Sequence, residues 1–122
     1  MNINTEEVDG ILVARLREDA LDASNTKEFK TMVAPLIAPG TKLVFDLSSL
    51  KFVDSSGLGA LLSCLRQLNA SGGVLKLCAM GKPVRALFEL VRMHRVFEIF
   101  NTEEEAVRSC GGSLADAVSF GN

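Results

Sequence analysis

Two short runs in which apolar and polar residues alternate, 3–8 (INTEEV) and 11–16 (ILVARL), flank Asp9-Gly10, a dipeptide that tolerates the positive φ angles of a tight turn. The chain is expected to open as a β-hairpin. From Ser24 the period becomes helical, with Phe29, Met32, Val33, Leu36 and Ile37 on one face. Pro35 lacks a backbone donor and crowds the preceding turn, so this helix should kink or stop near Ala34. After the Pro39-Gly40 break, 42–47 (KLVFDL) has the short, β-branched and aromatic character of a buried strand. Leu58, Leu61, Leu62, Leu65 and Leu68 then form one stripe of a helix over 56–70, closed by Ser71-Gly72-Gly73. A second buried strand, 74–79 (VLKLCA), precedes a helix opened by Pro83, with Val84, Leu87, Phe88 and Val91 on one face. A short strand at 97–100 follows. Thr102 and Glu105 are spaced as a capping box and introduce a last helix through Ala106, Val107 and Cys110.

Two antiparallel strands followed by strands alternating with helices predict an α/β fold: a mixed, mostly parallel sheet that opens with a β-hairpin, right-handed crossovers and about four helices. The 122 residues suffice for one domain, taken as 1–110, with 111–122 (GGSLADAVSFGN) a weakly patterned tail. In open sheets of this class, ligands and reactive groups gather at the carboxyl ends of the strands. The loop from strand 42–47 into helix 56–70 should emerge there.

Composition narrows the function. A chain that is 48% hydrophobic and 23% charged can pack a core of its own. Its 13 basic and 15 acidic residues leave a net charge of −2, and no cluster of Lys and Arg is interleaved with aromatics, so no direct nucleic-acid partner is expected. Most of the seven Phe fall at apolar-periodic positions and read as core. No apolar run approaches the roughly 18 residues of a membrane span, and MNINTEEVDG is acidic where a signal peptide is basic and then apolar. A cytoplasmic protein with no membrane partner is expected. Cys64, Cys78 and Cys110 lack metal-like spacing and are expected as buried free thiols, with no metal or cofactor. Lys82, Arg85, Glu89 and Arg92 follow a polar helix face that is expected to be solvated.

Chemistry concentrates in Val53 to Leu62, VDSSGLGALL. A serine nucleophile needs a positioned base, and the single histidine, His94, is far away in sequence. The nucleophile-elbow pattern fails, because Asp54 and Leu58 flank Ser56, and Val53 flanks Ser55, where glycines are needed. A P-loop fails as well, since Gly57-Leu58-Gly59 is followed by Ala60 and Leu61 rather than by Lys and a hydroxyl. No catalytic residue is assigned. Asp54 or Ser55 suits the N-cap of the helix. Each interior Gly costs about 0.8–1.0 kcal/mol against Ala, so Gly57 and Gly59 are expected to let another molecule's backbone approach Ser56. A phosphate on Ser56 would suit the positive end of the helix, while its charge of about −1.5 to −2 beside Asp54 would oppose any complementary surface.

In DLSSLKFVDSSGLGALL, GGVLKLCAM, PVRALFEL and VFEIFNTEEEAV, in that order over roughly residues 3–110, the chain resembles the STAS domains, and among them the stand-alone bacterial anti-sigma factor antagonists. The resemblance implies partner switching: the unphosphorylated antagonist binds an anti-sigma factor that is also a serine kinase and frees a sigma factor. Phosphorylation of the motif's second serine ends binding, and a serine phosphatase restores it. By position the acceptor is Ser56, with Asp54, Ser55, Gly57, Leu58 and Gly59 around it in the partner-binding loop. Asp22 is similar to the family's Asp near the start of the first helix, which lies beside the acceptor loop, and the resemblance makes it a partner-binding residue as well, although Glu18-Asp19-Ala20 stands where the family commonly carries a glycine. Two other roles are weighed: a scaffold-type STAS protein in a signalling assembly or lipid-transport complex, and a small-ligand or nucleotide-binding protein using the 54–59 loop.

Overall fold

The computed structural model of the chain describes residues 1–110, and the tail expected over 111–122 lies outside the described residues. Strands β1 (Ile3–Val8) and β2 (Ile11–Leu16) pair antiparallel. Asp9 and Gly10 both have positive φ, 53° and 80°, which is how a two-residue turn follows the twist of its strands. A short strand β3 (Ala20–Leu21) leads to helix α1 (Thr26–Val33), and Pro35 falls in the 3-10 turn Ala34–Leu36 that ends it. Then come β4 (Lys42–Asp46), β5 (Phe52–Val53), helix α2 (Ser55–Ala70), β6 (Val74–Cys78), helix α3 (Lys82–Leu90), β7 (Glu98–Phe100) and helix α4 over 103–110.

Five strands form the main sheet in the order β1-β2-β4-β6-β7, parallel except for the hairpin. The expected α/β architecture is therefore present, with four helices among the described residues. Alternation along the strands gives the sheet two apolar faces. Ala14, Leu16, Leu43, Phe45, Leu47, Leu75 and Leu77 pack against buried residues of α1, α2 and α3, and Phe29 and Phe45 meet with ring centroids 5.6 Å apart. The opposite face, from Ile11, Val13, Val44 and Cys78, is covered by Ala106, Val107 and Cys110 of α4. Arg15 on β2 holds that helix through two hydrogen bonds to Glu103, at 2.6 and 2.8 Å. The capping box forms as expected, Glu105 N–H donating to Thr102 Oγ1 at 3.1 Å and Thr102 N–H to Glu105 Oε1 at 3.3 Å. All three cysteines are buried, Cys64 and Cys78 as free thiols, and burial pushes Cys64 up to about 11 and Cys78 up to about 12.

Two expectations are corrected by packing. The buried stripe of α2 is Gly57, Ala60, Leu61, Cys64 and Leu68, with Leu58, Leu62 and Leu65 half-buried at its flanks, because small residues let the helix lie close to the sheet. The helix then ends as predicted: Gly73 N–H donates to the Leu68 carbonyl at 2.8 Å and Gly72 N–H to the Asn69 carbonyl. On α3 only Val84 and Phe88 are buried and Leu87 is half-buried, while Val91 is 42% exposed. The helix stops at Leu90 and Arg92 adopts a left-handed conformation at φ 62°, which turns the chain before Val91 can reach the core.

Candidate functional site at the carboxyl edge of the sheet

The segment that carries the chemistry is built from two stretches far apart in sequence. β3 and β5 form a parallel two-stranded ribbon, pairing Ala20 with Phe52 and Leu21 with Val53. Each follows a main-sheet strand, β2 or β4, so the ribbon stands at the carboxyl edge of the sheet. The Asp19 carbonyl accepts from Lys51 N–H at 2.6 Å and Phe52 N–H at 3.2 Å, and the Leu21 carbonyl accepts from Asp54 N–H at 3.3 Å. Strands of two residues are too short for alternation to reveal, and the sequence reading missed both.

Asp54 is the N-cap of α2. Its Oδ1 accepts from Gly57 N–H at 2.9 Å, which satisfies one of the helix's unpaired donors, and its Oδ2 accepts from Ala23 N–H at 3.1 Å. One carboxylate therefore closes the helix start and ties it to the 22–25 loop. In that loop the Asp22 carboxylate takes the N–H and hydroxyl of Ser24, and its carbonyl takes Asn25 and Thr26 N–H at the start of α1. Asn25, which the sequence reading passed over, returns its Oδ1 to Asp22 N–H at 3.0 Å and donates from Nδ2 to the Ala20 carbonyl at 2.8 Å. Its signal was there: an Asn three residues after an Asp, just before a helical period.

The two glycines do different work. A Cβ on Gly57 would lie 2.2 Å from the Leu21 carbonyl oxygen, so this glycine lets α2 press on the ribbon inside the fold. The expectation that both glycines open the helix to another molecule is corrected for Gly57, which is buried. Gly59 is exposed and a Cβ there would meet nothing within 4 Å. Ser55 is exposed, Ser56 and Leu58 are half-buried, and among the described residues neither serine hydroxyl has a hydrogen-bond partner. Ser56 thus stands in the first turn of α2, where the helix N-terminus favours an anion.

The chain's one histidine does not stand beside it. His94 lies in the 3-10 turn Met93–Arg95 just before β7, at the amino edge of the sheet and so opposite Ser56. Two clefts, of about 660 Å³ beside Arg85, Asn101 and Arg108 and about 500 Å³ beside Glu7, Thr41 and Lys42, are lined by no residue of 54–59. Among the described residues no group of three or more His, Cys, Asp or Glu is placed to hold a metal, and no helix is long and apolar enough to cross a membrane.

The hydrogen bond from Gly57 N–H, followed by those from Ala23 and Ser56 N–H, holds the Asp54 carboxyl below the usual carboxylate range. A group whose folded pKa is depressed stabilises the fold above its unfolded pKa and loses that contribution as pH falls through the folded value. Asp54→Asn is accordingly expected to melt below the wild type at neutral pH, with the gap closing as pH drops below about 4. Thermal melts of both proteins across that range check it, and a gap that does not change with pH would remove the charge from the account.

Residues 2–106 match the STAS domain. The chain belongs to the STAS domain family. This STAS protein is 29% identical over 107 residues to BtrV of Bordetella bronchiseptica, covering 87% of this chain and 91% of that one. It is 28% identical over 109 residues to the anti-sigma F factor antagonist of Paenibacillus polymyxa, covering 88% and 92%. Among solved structures it is similar to the anti-sigma factor antagonist SpoIIAA in its unphosphorylated form, at 26% identity and a TM-score of 0.71 over 88% of this chain and 95% of that one. The phosphorylated form of SpoIIAA from Bacillus superposes with a TM-score of 0.63 at 24% identity, over 87% and 96%.

Proposed function

We propose that the protein is an anti-sigma factor antagonist that works by partner switching, with Ser56 as its phosphate acceptor. Unphosphorylated, it binds an anti-sigma factor that is also a serine kinase, and a sigma factor is released. The kinase then moves the γ-phosphoryl group of ATP to Ser56 Oγ, the hydroxyl proton passes to the kinase's base and ADP leaves. A serine phosphatase reverses the modification. In this role the chain is a substrate and not an enzyme, and it works in the cytoplasm.

The observation that carries the reading is the state of Ser56: a hydroxyl unengaged within the fold, in the first turn of a capped helix, on an edge braced by Asp54 and Gly57. The names of the relatives, and the two forms of SpoIIAA, support it. A phosphate there costs the fold little, because the helix end accommodates negative charge. It costs a complex much, because a buried charge left without a partner is destabilising by about 3–5 kcal/mol.

Incubation with ATP and each serine kinase of the host, followed by peptide mass mapping, should place phosphate on Ser56 and none on Ser56→Ala. Ser56→Asp is expected to melt close to the wild type while losing affinity for the anti-sigma factor by roughly a hundredfold or more, since each 1.4 kcal/mol is a factor of ten. An unmodified Ser56 in the presence of a kinase active on its other substrates would overturn the switch.

A further inference from the structure

Phe52 stands outside the core expected for most of the Phe residues. Phe29, Phe45, Phe88 and Phe97 are buried and Phe100 is half-buried, but Phe52 is 53% exposed, the one exposed aromatic among the described residues. Its position is imposed by the ribbon: β5 has two residues, and with Val53 turned into the core at 1% exposure, Phe52 must face outward. The backbone beneath the ring is braced by the Asp19 carbonyl and by pairing with Ala20. An aromatic side chain on a fixed backbone loses little freedom when it is covered, and such residues concentrate binding energy at protein interfaces.

The surroundings indicate what covers it. Lys51, the residue before Phe52, and Asp19, whose carbonyl accepts from Phe52 N–H, have side chains 79% and 82% exposed and 4.0 Å apart, a mixed-charge pair beside an apolar residue. With Glu18, Asp22 and Asp54 on the same two stretches, acids outnumber Lys51, which disfavours an anionic lipid surface and leaves a protein as occupant. Phe52 is also four residues from Ser56, at most about 14 Å of chain. An ordinary interface covers about 800 Å² per partner, a disc of roughly 16 Å radius, so a protein centred on Ser56 reaches the ring.

We propose that Phe52 is the apolar anchor of the partner-binding surface, its ring entering an apolar cleft on the anti-sigma factor that engages Ser56. The inference rests on the reading of the chain as an anti-sigma factor antagonist, and it adds a residue that carries affinity independently of the phosphate switch.

Full-length wild type, Phe52→Ala, Phe52→Tyr and Ser56→Asp are titrated by calorimetry against each purified anti-sigma factor of the host, with thermal melts in parallel. Phe52→Ala is expected to melt with the wild type and bind about thirtyfold more weakly or worse, the loss expected of an interface hot spot, while Phe52→Tyr retains most of the affinity. Affinity of Phe52→Ala within about twofold of wild type overturns the anchor, even where Ser56→Asp abolishes binding and the switch reading stands. Loss in Phe52→Ala with undiminished binding by Ser56→Asp supports the anchor and overturns the switch. No binding by wild type to any anti-sigma factor overturns both. Should Phe52→Ala melt early, Phe52→Gln repeats the comparison with a longer polar side chain, read by the same criteria.

Discussion

Gly57→Ala is expected to lower folding stability by about 3 kcal/mol, at the upper end of what overpacking costs, because the obstacle is backbone and not a side chain that can swing away. The new methyl would stand 2.2 Å from the Leu21 carbonyl oxygen and 2.9 Å from its carbonyl carbon. To relieve this, α2 would have to withdraw from the ribbon, and the bond from Ala23 N–H to Asp54 would stretch with it. Gly59→Ala is the control, two positions along the same helix with open space at its Cβ. It should gain up to about 0.8–1.0 kcal/mol from helix propensity. Urea unfolding of both variants reads the difference as opposite shifts in midpoint at constant slope. Equal midpoints would mean that the contact between α2 and β3 does not brace the site.

Phe45→Ala should cost about 3–5 kcal/mol, a large part of the stability of a domain of this size. Phe45 is fully buried on the central strand β4, with its ring against Phe29 of α1, so truncation opens a cavity where α1 meets the sheet. Phe52→Ala, seven residues on, removes the same atoms from a half-solvated position and should stay within about 0.5 kcal/mol of wild type. Urea midpoints again decide. A Phe52→Ala loss comparable with that of Phe45→Ala would make Phe52 a structural residue and remove the basis for treating it as a free surface.

Strands and helices were legible wherever one period ran for five residues or more. The hairpin turn at Asp9-Gly10, the stop at Pro35, the Gly72-Gly73 end of α2 and the Thr102 to Glu105 capping box are local devices, and each stands where the residues indicated. The Asp54 cap belongs to the same group, since a carboxylate before a helical run reaches its own helix N–H groups within three residues. Val91 misled because the helical period continues past the point at which the left-handed Arg92 ends the helix.

By itself, then, the sequence determined the α/β class, the order of all the elements but the two-residue strands β3 and β5, and the place of Asp54, Ser55 and Ser56 at the start of a helix, because these depend on periods and caps that act over a few residues. Only the tertiary structure decided through which contacts segments 19–25 and 51–57 meet, that Gly57 is spent on packing against Leu21 while Gly59 faces solvent, and that Phe52 is exposed. Those outcomes follow from contacts between residues some thirty positions apart, such as Ala23 with Asp54, and from the side of a two-residue strand that reaches the core. No local pattern encodes either, since alternation needs length to show and a glycine looks the same whether its missing side chain makes room for its own fold or for a partner.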